Sequence, residues 1–253
     1  MNHLLTMKRY HEVDFMKGLA VISMVIFHYF YLGTQMGKLN YNTHEGIYHY
    51  MAKFAHITFI FMVGVNLVIT RLNYKDKTDN EYRQGQVKRL LFIAFLAIIV
   101  SITTYYTFPE KWVKFGILHF IAVGVLLLLP FVSKPNVSLG ISVLISFIYL
   151  LNQIGLLSGL YQYIHEIPAF ILGLFNTRFS ALDHFAILKY LPVMALGIYV
   201  GHQIYKSGGR KIETLNKLDK ILTKDNVIVN IGKRSLEIYI VHFVLLYIYF
   251  KNI

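Results

Sequence analysis

The chain of 253 residues has no cysteine, five prolines, one tryptophan and only 13 acidic side chains. Without cysteine it can carry no disulfide framework, thiol nucleophile or Cys-based zinc site. Charge is scarce as well: 15 % of residues are charged, against about 25 % in a typical soluble domain. What replaces charge is grease. Hydrophobic residues make up 56 % of the chain, and a core that hid so much apolar surface from water would need a far larger soluble protein. Lysine and arginine number 25, giving a formal net charge of +12. In a soluble protein that excess points to nucleic acid; in a membrane protein it points first to cytoplasmic loops.

Seven windows approach the roughly 20 apolar residues that a spanning helix requires: 16–33, 52–70, 90–107, 115–133, 138–157, 188–205 and 236–250. The sixth contains Pro192 and the seventh is short. A further apolar stretch, Ile167–Phe175, is too short to span and reads as a re-entrant or interfacial piece. The first window is no cleavable signal peptide, because no small-residue cleavage site follows it. Segments 1–17, 71–89, 134–137 and 206–235 hold 18 of the 25 basic residues. The positive-inside rule therefore puts the N-terminus in the cytoplasm and, with seven spans, the C-terminus outside. The expected fold is all-α: one polytopic membrane helix bundle over residues 1–253, with about seven transmembrane helices and one short re-entrant or interfacial segment. One more span would reverse the far end.

Ionisable groups within hydrocarbon are costly, so they are usually paired, face a cavity and serve function. His28 falls late in the first window, His56 early in the second, His119 early in the fourth and His242 within the seventh. All four belong to the outer half of the membrane in the orientation above. Asp183 and His184 sit just before the sixth window at the same level, and His44 and His49 lie in the outer loop between the first two. This polar layer is the strongest indication of function in the residues themselves. A lone membrane histidine is commonly a helix–helix hydrogen-bond partner; four at one depth weaken that explanation. No H-x-x-x-H or H-E-x-x-H spacing falls on a span, so no metal site is expected.

Asp14 and His28 share one helical face about 21 Å apart, with Gly18, Val21 and Val25 between them. Small side chains there suggest space along that face. Ser235, Tyr239 and His242 form a second helical stripe, and Glu237 is placed to pair with Arg234. On the cytoplasmic side Arg9, Lys17, Arg71, Arg89, Lys233 and Arg234 border the helix ends. Topology alone accounts for any one of them; together they can form a mouth for an anionic ligand. His49 and Lys53 read as interfacial residues, with Lys53 snorkelling to lipid headgroups.

Five short motifs then follow in order. Arg9-x-x-Glu12-x-Asp14-x-x-Lys17-Gly18-Leu19-Ala20 leads into Phe27-His28-Tyr29; Phe59-Ile60-Phe61-Met62-Val63-Gly64 and Phe115-Gly116-Ile117-Leu118-His119 come next. Leu196-Gly197-Ile198 and Gly232-Lys233-Arg234-Ser235-Leu236-Glu237-Ile238-Tyr239 complete the series, with His242 three residues on. In this order they resemble the heparan-α-glucosaminide N-acetyltransferase family of transmembrane acyltransferases and its prokaryotic relatives. The resemblance covers nearly the whole chain. It implies transfer of an acetyl group from cytoplasmic acetyl-CoA to an acceptor, typically a sugar amine or hydroxyl, on the far side. Lys17 stands where family members usually have Arg, and the large luminal domain of the lysosomal branch has no counterpart here.

The resemblance also implies roles. The histidine near the end of the first helix is catalytic in related acyltransferases, which makes His28 the first candidate. In the lysosomal branch that position is Asn and the catalytic histidine lies in the following loop, which makes His44 the second. Asp183 is a candidate to orient the base, and His56, His119, His184, Tyr239 and His242 are candidates to hold the acceptor. Arg9, Asp14, Lys17, Asn66, Arg71 and Arg234 are candidates for the acetyl-CoA side, with phosphates at the cations and the amide-bearing arm at Asn66. Expected partners are membrane lipids, acyl-CoA and a saccharide, and no nucleic acid; a homodimer is left open. A bacterial-type plasma membrane is the expected location. The rival reading is a proton-coupled small-molecule transporter using the same His/Asp layer, although no repeated halves of the transporter kind stand out.

Overall fold

The computed structural model describes residues 9–74, 78–174, 181–206, 209–223 and 225–253. Within them the chain forms ten α-helices: α1 (His11–Gln35), α2 (Gly46–Asn73), α3 (Asp79–Thr107), α4 (Ile117–Leu128), α5 (Pro135–Gln153), α6 (Glu166–Leu172), α7 (Ile187–Ile204), α8 (Thr214–Ile221), α9 (Val227–Lys233) and α10 (Ser235–Asn252). The only strands among the described residues are two of two residues each, Tyr205–Lys206 and Gly209–Arg210. All-α is therefore correct. Lys8, Lys75, Lys77, Phe175, Arg178 and Lys224, which entered the expected topology, lie outside the described residues.

Four helices, α1, α2, α3 and α5, are long and apolar enough to cross a bilayer. On α3, Leu91, Phe95, Ile98 and Ile102 form one apolar stripe and are each more than half exposed. Its N-terminus is polar and locally closed: the Thr78 hydroxyl accepts from the Glu81 amide, and Glu81 accepts from the Thr78 amide. The expected fourth span is shorter than its apolar window. α4 has 12 residues and passes at Pro130 into a 3₁₀ turn, Leu129–Phe131. α7 and α10, with 18 residues each, rise about 27 Å, slightly below the hydrocarbon thickness of about 30 Å. α7 continues unbroken through Pro192. The Ile167–Phe175 stretch becomes the seven-residue α6, too short to span, as its length requires.

The chain divides into two compact units. The first holds residues 1–62 and 208–253, hence α1, the start of α2, and α8 to α10. α1 crosses α9 at two glycines. A Cβ on Gly18 would overlap the carbonyl oxygen of Ile228, and one on Gly232 would overlap that of Asp14. This close approach corrects the expected open lane: Gly18 is covered by α9, and buried Val21 packs with Met24 and Ala55 under Val25, Phe59, Ile231, Ile238 and Tyr239. The missing side chain was filled by backbone, as at small-residue crossings of membrane helices. α9 itself starts at Asn226, whose side-chain oxygen accepts from the amides of Ile228 and Val229.

The second unit holds residues 63–207. There Gly64 of α2 meets the backbone of α7, where a Cβ would overlap the Met194 carbonyl and lie 3.1 Å from the Cα of Gly197. α5 packs along α7 and keeps its buried polar groups satisfied. Ser142 donates to the Pro192 carbonyl at 2.9 Å, and Asn152 donates to the Gly173 carbonyl at 3.3 Å.

Candidate functional site

In the first unit, His28 and His242 meet. His28 Nδ1 and His242 Nε2 are 3.0 Å apart, and the ring centroids are separated by 5.0 Å. His242 Nδ1 is 3.0 Å from the carbonyl oxygen of Ile238, one turn back on α10. Phe27 and Phe243 flank the His28 ring at 5.5 and 6.0 Å. His242 is buried and His28 half-buried. His28 Nε2 bonds to none of the described residues. His56 of α2 is an electrostatic neighbour of His28, and the Tyr239 ring lies 5.7 Å from that of His242. The expected stripe on α10 thus delivers Tyr239 and His242 to one place. His44 is elsewhere: it is exposed in the α1–α2 loop with its ring edge-on to Tyr31 at 6.3 Å.

The same unit holds a cavity of about 710 Å³ lined by Arg9, Val227, Asn230, Ile231, Lys233, Arg234 and Ile238. Ligand pockets commonly hold about 300–1,000 Å³. Lys233 donates to the Asn230 side chain at 3.1 Å. Among the described residues neither Arg9 nor Arg234 forms an ion pair, and Glu237 stays exposed without meeting Arg234, contrary to the expected pairing. Three cations, one amide and an apolar wall suit a phosphate-bearing ligand with an apolar arm. Ile238 connects cavity and imidazoles, since it lines the first and holds His242 through its carbonyl.

Two of the expected anion-binding cations are committed to carboxylates. Lys17 pairs with buried Asp14 at 2.7 Å within α1. In the second unit Arg71 pairs with Asp79 at 2.5 Å, donates to the Tyr74 carbonyl at 3.2 Å and lies 5.5 Å from the Tyr82 ring centroid. Asn66 is half-buried on α2 in that unit. Sequence reasoning missed the anchor of α1. Arg210, 198 positions from Glu12, makes a two-pronged bond to it at 2.7 and 2.8 Å, reaches Asn216 at 3.3 Å and lies 4.7 Å over the Tyr10 ring. No local pattern marks Arg210; only the unexplained Glu12 of the first motif hinted at a partner. Asn230 and Val227 in the cavity wall were missed as well.

The other expected site residues, in the second unit, form closed local networks. His119 Nδ1 accepts from the Gly116 amide at 3.3 Å, and its Nε2 faces the Ser101 hydroxyl at 3.2 Å, which in turn donates to the Val113 carbonyl at 2.7 Å. Asp183 accepts from the Ile117 amide at 3.2 Å, capping α4. Burial pushes the Asp183 carboxyl up to about 6, with the Ile117 amide opposing. His184 lies flat on Phe170, centroids 3.9 Å apart, and donates from Nε2 to the Phe170 carbonyl at 2.7 Å. Burial holds its imidazole below the ordinary histidine value. No group of three metal-ligating side chains occurs among the described residues.

Four long apolar helices point to a membrane protein, and one of its units holds a paired imidazole and a basic cavity. The chain belongs to the family described as heparan-alpha-glucosaminide N-acetyltransferase, catalytic, whose family model matches residues 9–244. That membership suggests a transmembrane acetyltransferase activity. No curated protein and no solved structure matches it.

Proposed function

We propose that the protein moves an acetyl group from cytoplasmic acetyl-CoA to a sugar amine or hydroxyl on the extracytoplasmic side. The observation that carries this reading is the shared residue Ile238. One helical turn, about 5.4 Å, separates the wall of a tri-basic cavity from the histidine bonded to His28. Arg9, Lys233 and Arg234 bind the phosphates, and the apolar wall of Ile231 and Ile238 takes the arm that ends in the thioester. Their place among the basic segments supports a cytoplasmic entry. Seven spans with a cytoplasmic N-terminus and a plasma-membrane location go with this reading, as do lipid, acyl-CoA and saccharide partners.

His28 is the general base. Its Nε2 accepts the proton of the acceptor as that oxygen or nitrogen attacks the thioester carbonyl, then returns it to the departing sulfur. The bond formed is acyl–oxygen or acyl–nitrogen, the bond broken is acyl–sulfur, and free thiol and acetylated acceptor leave. No metal takes part in these steps. Phe27 and Phe243 flank the imidazole on its apolar side. His44, exposed near Tyr31, is the second candidate base.

The test is purified protein with acetyl-CoA and glucosamine or an oligosaccharide, following free thiol and acetylated product. Thiol release that depends on acceptor is expected, and His28→Ala lowers it by about 10²–10⁴-fold while the protein still inserts. Retained turnover in His28→Ala, with loss in His44→Ala, transfers the role to His44. Absence of acetyl-CoA binding by calorimetry overturns the function.

A further inference from the structure

The base has a second histidine behind it, and the hydrogen bonds around the pair leave little freedom in where the protons sit. The carbonyl of Ile238 only accepts, so His242 Nδ1, 3.0 Å away, carries hydrogen. In a neutral His242, Nε2 is then a bare lone pair. His28 Nδ1 lies 3.0 Å from that lone pair, so it must carry the hydrogen of a neutral His28. Two lone pairs facing each other at that distance would repel. His28 Nε2 is left unprotonated, and it has no partner among the described residues.

We propose that His242 is a positioning residue: it fixes His28 in the tautomer whose Nε2 can take a proton, and it shares the proton once taken. This rests on His28 being the base. When Nε2 accepts the acceptor's proton, the Nδ1 hydrogen of His28 can move along its bond to His242 Nε2, and the charge spreads over two rings. The Ile238 carbonyl faces that charge from behind, as a carboxylate does in other orienting pairs. The other titratable groups near the pair are His56 and Tyr239. When sulfur departs, the proton returns through His28 Nε2, and the pair regains its starting state with no atom gained or lost. The same bonds explain why His242, placed among acceptor-binding candidates by sequence, has both nitrogens occupied within the protein.

The test compares His242→Leu with His242→Gln in the full-length protein in detergent. Leucine removes the acceptor for the His28 Nδ1 hydrogen; glutamine can present an amide oxygen near the same point but cannot share the proton. His242→Leu should lower kcat by about 10²–10³-fold, within the range of general-base effects, with KM for acetyl-CoA unchanged within about twofold. His242→Gln should recover to within about tenfold of the native protein, a loss typical of replacing an outer orienting group. A readout independent of turnover is ¹⁵N-histidine NMR, in which the resonances absent from His28→Ala report hydrogen on Nδ1 in the native protein. Native turnover in His242→Leu, equal impairment of the two variants, or hydrogen on Nε2 of neutral His28 each overturns the proposal. Hydrogen on Nε2 together with an inactive His28→Ala removes only this role and leaves the acetyltransfer reading standing. An active His28→Ala removes both.

Discussion

Replacing Glu12 by Gln leaves a guanidinium almost sealed from solvent without its counter-charge. Arg210 is 2 % exposed in its side chain and Glu12 13 %, so the pair lies between a surface and a fully buried ion pair. Breaking a buried pair by removing one partner costs about 3–5 kcal/mol, whereas an exposed pair contributes about 0–1 kcal/mol. Two features moderate the loss here. The Asn216 oxygen and the Tyr10 ring remain with Arg210, and glutamine keeps one acceptor for one prong. An intermediate cost of about 2–3 kcal/mol follows. For a chain of this length it lowers the thermal midpoint by about 4–12 °C, at about 2–4 °C per kcal/mol. Thermal unfolding in detergent, by intrinsic fluorescence, measures it. Arg210→Met in the Glu12→Gln background should restore part of the loss, because it removes the stranded charge. A midpoint drop below about 1 °C in Glu12→Gln, or no recovery in the double variant, refutes the reasoning.

Two further outcomes follow from the cavity and from the α4 cap. Arg234→Gln should raise KM for acetyl-CoA by about 10-fold or more, since hydrogen bonds to charged groups contribute about 1.5–3 kcal/mol, while KM for the sugar stays unchanged; steady-state kinetics with each substrate varied separates the two. Asp183 has a folded-state carboxyl raised to about 6 by burial, so the stability it supports is full below its unfolded value and is lost as pH rises through about 6. Asp183→Asn keeps an acceptor for the Ile117 amide and should raise the thermal midpoint above native at pH 7, with the difference vanishing below pH 4.

The helical architecture was legible because apolar windows of spanning length have few alternatives. Azimuth was not. His28, His56, His119 and His242 share an expected depth, but only His28 and His242 are joined by a hydrogen bond, whereas His119 closes a network with Gly116 and Ser101. The stripe Ser235–Tyr239–His242 succeeded because periodicity within one helix does fix azimuth. The Gly18–Val21–Val25 lane failed because a small residue marks either a void or a close backbone, and the backbone that fills it lies more than 200 residues away. The Lys17–Asp14 pair has an i, i+3 spacing that the assignment of both residues to the acetyl-CoA side passed over; the Arg71–Asp79 pairing needed the turn between two helices.

The glycines that give the family motifs their outline have a consequence for what such a motif can mean. Gly18 and Gly232 let α1 and α9 touch, Gly64 and Gly197 do the same for α2 and α7, and Gly116 makes room for the Asp183 carboxylate. These positions answer to geometry, and none supplies a proton, a charge or a nucleophile. A sequence could therefore keep these glycines, and so these helix crossings, while exchanging the histidine at position 28 for a side chain incapable of acid–base chemistry. Membership in the family describes how the helices are stitched together and does not by itself fix which side chains stand at the two imidazole positions, 214 residues apart in the chain.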